Sequence, residues 1–519
     1  MSFARAIATV GGLTLLSRVA GFVRDMLTAW VLGAGTAADI FFVAQRIPNW
    51  FRAMFAEGAF TVSFVPMYAA RLEKDGRAAA DAFADQALTM MVTVLLPLTI
   101  LMMLAMPAIM LLVASGYADQ PGIFAQLVTL GQITFPYLIL VSIVALQTGV
   151  LNALGRYGPG AAAPIMLNLC MIAAIGVAWY GGVEPNTALA WGVTLSGVAQ
   201  LLWLSISCHR AGVTLRLRLP RFSPEVRHLF RQMAPGALAA SVIQINLVIG
   251  THIASLLPAG SVSYLYYADR LNQLPLGVIG IAIGTALLPT LSRHVQAGNA
   301  DQIRHYISRG MEFGMLLAMP AAIALFIIPE PILTTLFQRG NFGPAETAAT
   351  ALALQAYAIG IPAYVAAKVF NAAFFSRQDT RTPVKIAILT LVTNTVLALA
   401  LSAWLAPQGI GHVGIAAASG IAAFLNIALL GWALWRKGFL KLDERVLRRV
   451  PRILLAAAGM GAVLAGAEAA MADLFTAPAA IRVPALAGLI ALGGGAYAVL
   501  VLLTRAAALS DLKALRRRA

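Results

Sequence analysis

The sequence feature that most constrains the fold of this chain is a series of apolar runs, each about 20 residues or longer. A helix rises about 1.5 Å per residue, so roughly 20 apolar residues cross a hydrocarbon core about 30 Å thick. Fourteen such runs predict an all-α polytopic membrane protein with about 14 transmembrane helices. The runs cover approximately residues 7–32, 38–66, 87–113, 124–151, 161–180, 187–207, 233–257, 262–288, 314–337, 349–374, 384–405, 413–434, 453–474 and 483–503.

Composition supports a membrane protein over the soluble classes. Hydrophobic residues make up 60% of the 519 residues and charged residues only 11%, against roughly 45–50% and 25% in soluble domains. The net charge of +16 would favour nucleic-acid binding in a soluble protein. Because membrane proteins concentrate Lys and Arg in cytoplasmic loops, we expect no nucleic-acid partner here. Cys170 and Cys208 form no CxxC motif and predict neither a disulfide framework nor a zinc site.

The distribution of basic residues predicts the orientation. The connections after even-numbered runs, together with Arg5 and the C-terminal tail, contain most of the lysines and arginines. The connections on the other side contain Arg339 and Arg482. Since positive loops stay in the cytoplasm, both termini are predicted to be cytoplasmic.

Several short segments indicate an internal duplication. FVAQRI at 42–47 resembles YYADRL at 266–271, which aligns Arg46 with Arg270. Further pairs follow in the same order at a similar offset: Pro66 with Pro289, Asn152 with Asn371, and Pro164 with Pro383. Six runs separate the copies, so both halves face the same way, as in transporters built from parallel repeats.

The duplication predicts two pseudo-symmetric lobes of six helices each. The predicted N-lobe covers residues 1–210, and a cytoplasmic linker covers 211–232. The predicted C-lobe covers 233–436 and is followed, over 437–519, by two additional spans and a basic tail.

Charged residues interrupt the runs near the start of each half. LLSRVAGFVRD, at 15–25, places Arg18, Arg24 and Asp25 inside the first run, although a charge at mid-membrane costs roughly 2.5–3.5 kcal/mol. At about 100° per residue, Arg18 and Asp25 lie within about 20° of each other on a helix and are candidates for an ion pair. Arg24 lies about 120° away from Arg18. The other charges near the start of each half are Asp39, Arg46, Arg52, Glu57, Asp269 and Arg270.

The excess charge inside the runs is cationic. Internal pairing is one interpretation and remains open for each residue. Arginine nevertheless predominates, and its planar guanidinium suits phosphate and carboxylate groups. We therefore predict a cationic cavity between the lobes that binds an anionic head group. The candidate substrate-binding residues are Arg18, Arg24, Asp39, Arg46, Arg52 and Arg270; Asp25 and Asp269 are candidates for ion pairing or cation coupling.

Five segments of the chain closely resemble the MurJ (MviN) family of lipid II flippases. They are LSRVAGFVRD at 16–25, AEGAFTVSFVP at 56–66, the long stretch at 260–293, LFQRGNF at 336–342 and FFSRQDTRTPVKIA at 374–387. The resemblance runs along nearly the whole chain. It implies a fold of the multidrug/oligosaccharidyl-lipid/polysaccharide exporter (MOP) superfamily, like that of its MATE members. It also implies a transporter, not an enzyme, that moves undecaprenyl-pyrophosphate-linked peptidoglycan precursor from the inner to the outer leaflet for cell-wall synthesis.

Residue by residue, the resemblance implies that Arg18, Arg24, Arg52 and Arg270 are essential cavity arginines, with Asp39 as an acidic partner. Arg46 stands where the family usually has a basic residue. The last two spans resemble a groove for the polyprenyl tail. The implied location is the bacterial cytoplasmic (inner) membrane. The implied partners are lipid II and membrane lipids, and periplasmic-side peptidoglycan synthases are candidate partners.

The predicted mechanism is alternating access without a cofactor. An inside-negative membrane potential favours outward movement of an anion by about 2.3 kcal/mol per charge per 100 mV. Coupling to a cation remains open.

Two other functions make different predictions from the same chain. A drug/cation antiporter of the same superfamily would need an acidic cavity. A membrane enzyme would need clustered carboxylates or histidines in its loops. The loop carboxylates instead look scattered and are interpreted as solvated charge: Asp301, Glu312, Asp379, Asp443 and Glu444.

Overall fold

The computed structural model describes residues 3–53, 60–441 and 443–507. Over these residues the regular structure is helical, and the one β-bridge joins Arg339 to Phe342. Glu57 and the basic tail from 508 onward lie outside the described residues.

The chain divides into two compact units. The first comprises residues 1–263 and 339–342. Its helices are α1 (Phe3–Leu32), α2 (Thr36–Ala44), α3 (Arg46–Arg52), α4 (Phe60–Lys74), α5 (Arg77–Leu104), α6 (Met106–Val113), α7 (Pro121–Thr134), α8 (Tyr137–Ala153), α9 (Gly158–Gly181), α10 (Pro185–Arg210) and α11 (Pro224–Ser255).

The second unit comprises residues 264–338 and 343–519. Helix α12 (Ser261–Gln296) begins in the first unit and continues into the second. The remaining helices are α13 (Ala300–Ile327), α14 (Pro329–Leu336), α15 (Pro344–Phe375), α16 (Arg381–Leu405), α17 (Gly411–Arg436), α18 (Glu444–Ala470), α19 (Ala472–Thr476) and α20 (Ala479–Leu503). The contacts group α11 with the first unit, whereas the repeat placed it in the C-lobe; the lobe boundaries stay a prediction.

The prediction of an all-α polytopic membrane protein is confirmed. Among the described residues, ten helical segments are long and apolar enough to cross a membrane, and they match ten of the predicted spans. Helices α1, α11 and α12 are 30, 32 and 36 residues long and cover three further predicted spans. The number of 14 spans stays a prediction.

The second predicted span, 38–66, is broken as its composition suggested. Helix α2 ends at Ala44, Gln45 forms the break, and α3 starts at Arg46. Pro48 has no N–H and cannot donate to the carbonyl of Ala44 four residues earlier. The Thr134 hydroxyl lies 3.3 Å from that carbonyl oxygen. A backbone acceptor exposed by proline thus meets a polar group of the protein, as a membrane-embedded helix requires.

The predicted linker 211–232 belongs to the first unit and contacts α5 there. Residues 213–223 run without regular structure, and α11 begins at Pro224, inside the predicted linker. Asp85 on α5 is 3% exposed. Its two carboxylate oxygens each accept a hydrogen bond at 2.8 Å, from Arg216 N and from Arg218 Nε. A buried carboxylate therefore fixes the course of this segment along α5.

Candidate functional site

Arg24 and Asp25 form a part-buried cluster with the amide of Asn168. Arg24 Nη2 lies 2.7 Å and Nε 3.1 Å from Asp25 Oδ1, and the two side chains are 12% and 7% exposed. Arg24 Nη1 donates to Asn168 Oδ1 at 3.1 Å, while Asn168 Nδ2 donates to the carbonyl of Ser17 at 2.9 Å. Asn168 of α9 thus links the Arg24 guanidinium to the backbone of α1, the helix that carries Arg24. The one signal for Asn168 in the sequence is that it is the lone amide side chain of the apolar run 161–180.

The candidate ion pair between Arg18 and Asp25 is not the pairing that the structure shows. Asp25 is bound by the adjacent Arg24, and Arg18 is exposed. Helical phase placed Arg18 nearest to Asp25, but a guanidinium at the end of a long, flexible side chain reaches the carboxylate of the next residue. The exposed Arg18 is therefore not held by the carboxylate that the sequence suggested.

Asp39 is buried, with 1% of its surface exposed, and accepts hydrogen bonds from three residues. Oδ2 accepts from Gly260 N at 2.7 Å and from the Tyr117 hydroxyl at 3.2 Å. Oδ1 accepts from the backbone N–H and the hydroxyl of Ser263, at 2.8 and 2.5 Å. Since α12 begins at Ser261, a carboxylate from α2 binds the N–H groups at the start of that helix, which its dipole favours. All of these groups belong to the first unit.

Arg46 and Arg52 lie at the two ends of the short helix α3. Arg46 Nε donates to the Thr251 hydroxyl of α11 at 2.9 Å. Arg52 Nε donates to Asn49 Oδ1, one helical turn away, at 3.2 Å, and both arginines are half-buried. Both of these acceptors are neutral oxygens.

In the second unit, Arg270 is oriented by an aromatic side chain one turn earlier on α12. Its Nη2 donates to the Tyr266 hydroxyl at 2.8 Å, and its Cζ lies 4.8 Å from the centre of that ring. The neighbouring Asp269 accepts a hydrogen bond from Gln273. A cation over an aromatic face is stabilised without being neutralised.

The family-like segment LFQRGNF folds back on the end of α1. Asn341 N donates to the Trp30 carbonyl at 3.0 Å, and Asn341 Nδ2 donates to that of Val31 at 2.6 Å. Gly340 has φ +60°, and a Cβ on it would lie 2.4 Å from the Trp30 carbonyl oxygen. Only glycine fits both the backbone conformation and the close approach.

The interpretation of the loop carboxylates as solvated charge is wrong for three of the five. Glu312 is 8% exposed and pairs with Arg309, Arg445 and Arg449. Asp301 and Glu444 do match the interpretation, with side chains 91% and 76% exposed. The sequence could not reveal the Glu312 cluster, since two of its arginines lie more than 130 residues away.

Asp379 and Asp443 also form specific contacts. Asp379 Oδ2 lies 2.5 Å from Lys437 Nζ, and its carboxylate accepts from the backbone and hydroxyl of Thr382. Burial opposes ionisation, but these hydrogen bonds outweigh it and lower the pKa of Asp379 to about 2. Burial likewise opposes ionisation of Asp443, but hydrogen bonds from Val446 N and Arg309 outweigh it and lower the pKa of Asp443. Both carboxylates are therefore charged at neutral pH.

Two solved structures identify the fold class. The chain matches a structure described as the lipid II flippase MurJ in an inward closed conformation with a TM-score of 0.78 and 21% identity, covering 96% of this chain and 98% of that one. It matches an inward-facing MATE family multidrug resistance transporter of the MOP superfamily with a TM-score of 0.66 and 15% identity, covering 83% and 98%. The chain therefore has the fold that these two proteins share.

Sequence relatives identify the family within that class. The chain is 42% identical over 503 residues to the probable lipid II flippase MurJ of Rhizobium meliloti, covering 96% of this chain and 93% of the relative. It is 38% identical over 519 residues to the probable lipid II flippase MurJ of Vibrio cholerae, covering 97% and 96%. The family model for the lipid II flippase MurJ matches residues 28–483. The chain belongs to the MurJ family.

Proposed function

We propose that this chain is a lipid II flippase that moves the peptidoglycan precursor from the inner to the outer leaflet of the bacterial inner membrane. Membership of the MurJ family over residues 28–483 supports the substrate. Among the described residues, ten helical segments suited to crossing a membrane support the multi-pass location. The bias of basic residues supports cytoplasmic termini.

The proposed binding groups are the guanidiniums of Arg18, Arg24, Arg52 and Arg270. The observation that carries this proposal is that Arg52 of α3 and Arg270 of α12 each donate to a neutral oxygen one turn away on the same helix. Asn49 holds Arg52, and Tyr266 orients Arg270. A guanidinium has a planar donor fork that matches a phosphate or a peptide carboxylate.

Arg24 differs from the others because it pairs with Asp25. In the proposal the contact with Asn168 positions Arg24, and a diphosphate takes over part of the interaction that Asp25 provides in this structure. Arg46, held by Thr251, contributes positive charge at the other end of α3 from Arg52.

Transport is proposed to occur by alternating access, and the hydrogen bonds of Asp39 are proposed to hold the conformation seen here. The buried carboxylate binds the first turn of α12 through Gly260 and Ser263. In the predicted orientation this contact lies toward the periplasm, so releasing it is part of opening outward. The break at Gln45 between α2 and α3 supplies a bend close in the chain to Asp39.

The proposed driving force is the membrane potential, and no cofactor is required. An inside-negative potential assists outward movement of an anionic head group by about 2.3 kcal/mol per charge per 100 mV. Asp25 and Asp269 are the proposed positions for any cation coupling.

Depletion of the protein tests the function. Lipid II should accumulate in the inner leaflet, wild type should restore its transport, and Arg270→Ala should insert in the membrane without restoring it. Arg293→Ala, which removes an arginine from the far end of the same helix, is the matched control and should restore transport. Transport by Arg270→Ala at the wild-type rate would contradict the cationic site. Efflux of cationic drugs without lipid II transport would favour the antiporter.

A further inference from the structure

The start of α18 carries a cavity that the transport proposal does not use. It has a volume of about 250 Å³ and is lined by Glu444, Arg445, Arg448, Arg449 and Arg452. The four arginines follow an i, i+3, i+4, i+7 spacing, so one face of the helix presents them all. Four cations against one anion give the cavity an excess of positive charge.

A buried carboxylate from a neighbouring helix holds two of these arginines. Glu312 on α13 is 8% exposed. Its Oε1 accepts hydrogen bonds from Arg445 Nη2, at 3.3 Å, and from Arg449. Its other oxygen accepts from Arg309, which also pairs with Asp443 at the start of α18. The inner wall of the cavity is therefore a fixed network of charge-assisted hydrogen bonds.

The other two arginines form the outer wall. Arg448 pairs with Glu444, and the two side chains are 66% and 76% exposed. Arg452 Nη1 lies 3.4 Å from the carbonyl oxygen of Arg505. Exposed contacts of this kind contribute little to stability. A ligand with stronger acceptors can therefore replace them.

The cavity lies directly before the part of α18 that is suited to crossing a membrane. Residues Ile453 to Ala470 of this helix are apolar apart from Glu468 and rise about 27 Å. Arg445 to Arg452 occupies about 10 Å of helix before them. This length covers the head-group layer on one side of a bilayer, which is roughly 5–8 Å thick.

We propose that this cavity binds the phosphate of an anionic membrane phospholipid. Arg448 and Arg452 contact the phosphate oxygens, while Arg445 and Arg449 form the charged wall that Glu312 fixes. Guanidinium forks match phosphate oxygens in geometry and charge. The volume of about 250 Å³ is below the roughly 300–1,000 Å³ of sites that enclose a drug-sized ligand. The cavity suits the head group of a lipid whose acyl chains stay in the membrane.

Ligand-induced stabilisation of the full-length protein in detergent tests the proposal. The apparent Kd is measured from the rise in melting temperature with added short-chain phosphatidylglycerol. Phosphatidylcholine of the same chain length and inorganic phosphate are the comparison ligands. Wild type should bind phosphatidylglycerol at least tenfold more tightly than either. No lipid II is present, so the result is independent of the transport proposal.

The variant Arg448→Gln/Arg452→Gln should weaken phosphatidylglycerol binding about tenfold, and Arg448→Gln alone about threefold. The single variant removes an exposed side chain and guards against a folding defect in the double variant. Arg436→Gln/Lys441→Gln removes the same charge outside the cavity and should keep the wild-type Kd within twofold.

Three results would overturn the proposal. One is an unchanged Kd in both cavity variants. Another is an equal loss in the control, which would mean that only overall charge matters. The third is equal stabilisation by inorganic phosphate or phosphatidylcholine, which would remove the anionic lipid as the ligand.

Discussion

The carboxylate of Asp39 accepts hydrogen bonds from both the backbone N–H and the hydroxyl of Ser263. This contact places a charged group of α2 at the N-terminus of α12, 224 residues later in the chain. A buried carboxylate is stable there because the N–H groups of the first turn and the helix dipole both favour an anion. The pair therefore fixes where α12 begins.

Asp39→Ala should lower the free energy of unfolding by roughly 2–3 kcal/mol, because it leaves the N–H groups of Gly260 and Ser263 without their carboxylate acceptor. Thermal unfolding in detergent measures the effect. Asp301→Ala removes a carboxylate whose side chain is 91% exposed and should change the midpoint little. Equal midpoints for the two variants would show that the Asp39 contact does not stabilise this conformation.

Gly340→Ala should destabilise the protein more than a left-handed backbone alone explains. At φ +60°, alanine costs about 1 kcal/mol, and its Cβ would also lie 2.4 Å from the Trp30 carbonyl oxygen. Gly438 has φ +73° with no atom within 4 Å of its Cβ position. Gly438→Ala therefore measures the cost of the left-handed backbone conformation alone, without a steric clash. Similar melting temperatures for both variants would contradict the packing of LFQRGNF against α1.

Acid should remove the stabilisation that Asp379 provides. Its folded pKa of about 2 is below the ordinary value of 3.8. A lowered pKa stabilises the folded state above pH 3.8, and this contribution is lost as pH falls from there through about 2. The difference in melting temperature between wild type and Asp379→Asn should therefore be constant above pH 5 and shrink below pH 4. Lys437→Gln should behave like Asp379→Asn, and combining them should add little. A difference that does not change with pH would exclude the ion pair as its cause.

The sequence predicted the helices and located the charges but not the partners of those charges. Apolar runs need only local composition, so ten predicted spans reappear as membrane-suited helices. The break in the second span followed from Pro48. The partner of Asp25 depended on which rotamer a long side chain adopts, and helical phase alone could not supply it.

The Glu312 cluster shows the same limit over a longer distance. Its carboxylate lies on α13, and two of its arginines lie on α18. Spacing along the chain says nothing about which loop charges meet after folding. Burial then decides whether a carboxylate is solvated or paired, and burial is a property of the packed helices.

Arg24 combines a structural ion pair with a proposed binding role, and a double substitution separates the two. Arg24→Ala removes the guanidinium that pairs with the 5% exposed Asp25 and should cost about 3–5 kcal/mol. Arg24→Ala/Asp25→Asn removes the buried charge as well, so its melting temperature should return close to that of wild type. It should still fail to relieve lipid II accumulation in depleted cells, because the neutral pair offers no cation to the diphosphate. Wild-type rescue by the double variant would mean that Arg24 serves only to neutralise Asp25.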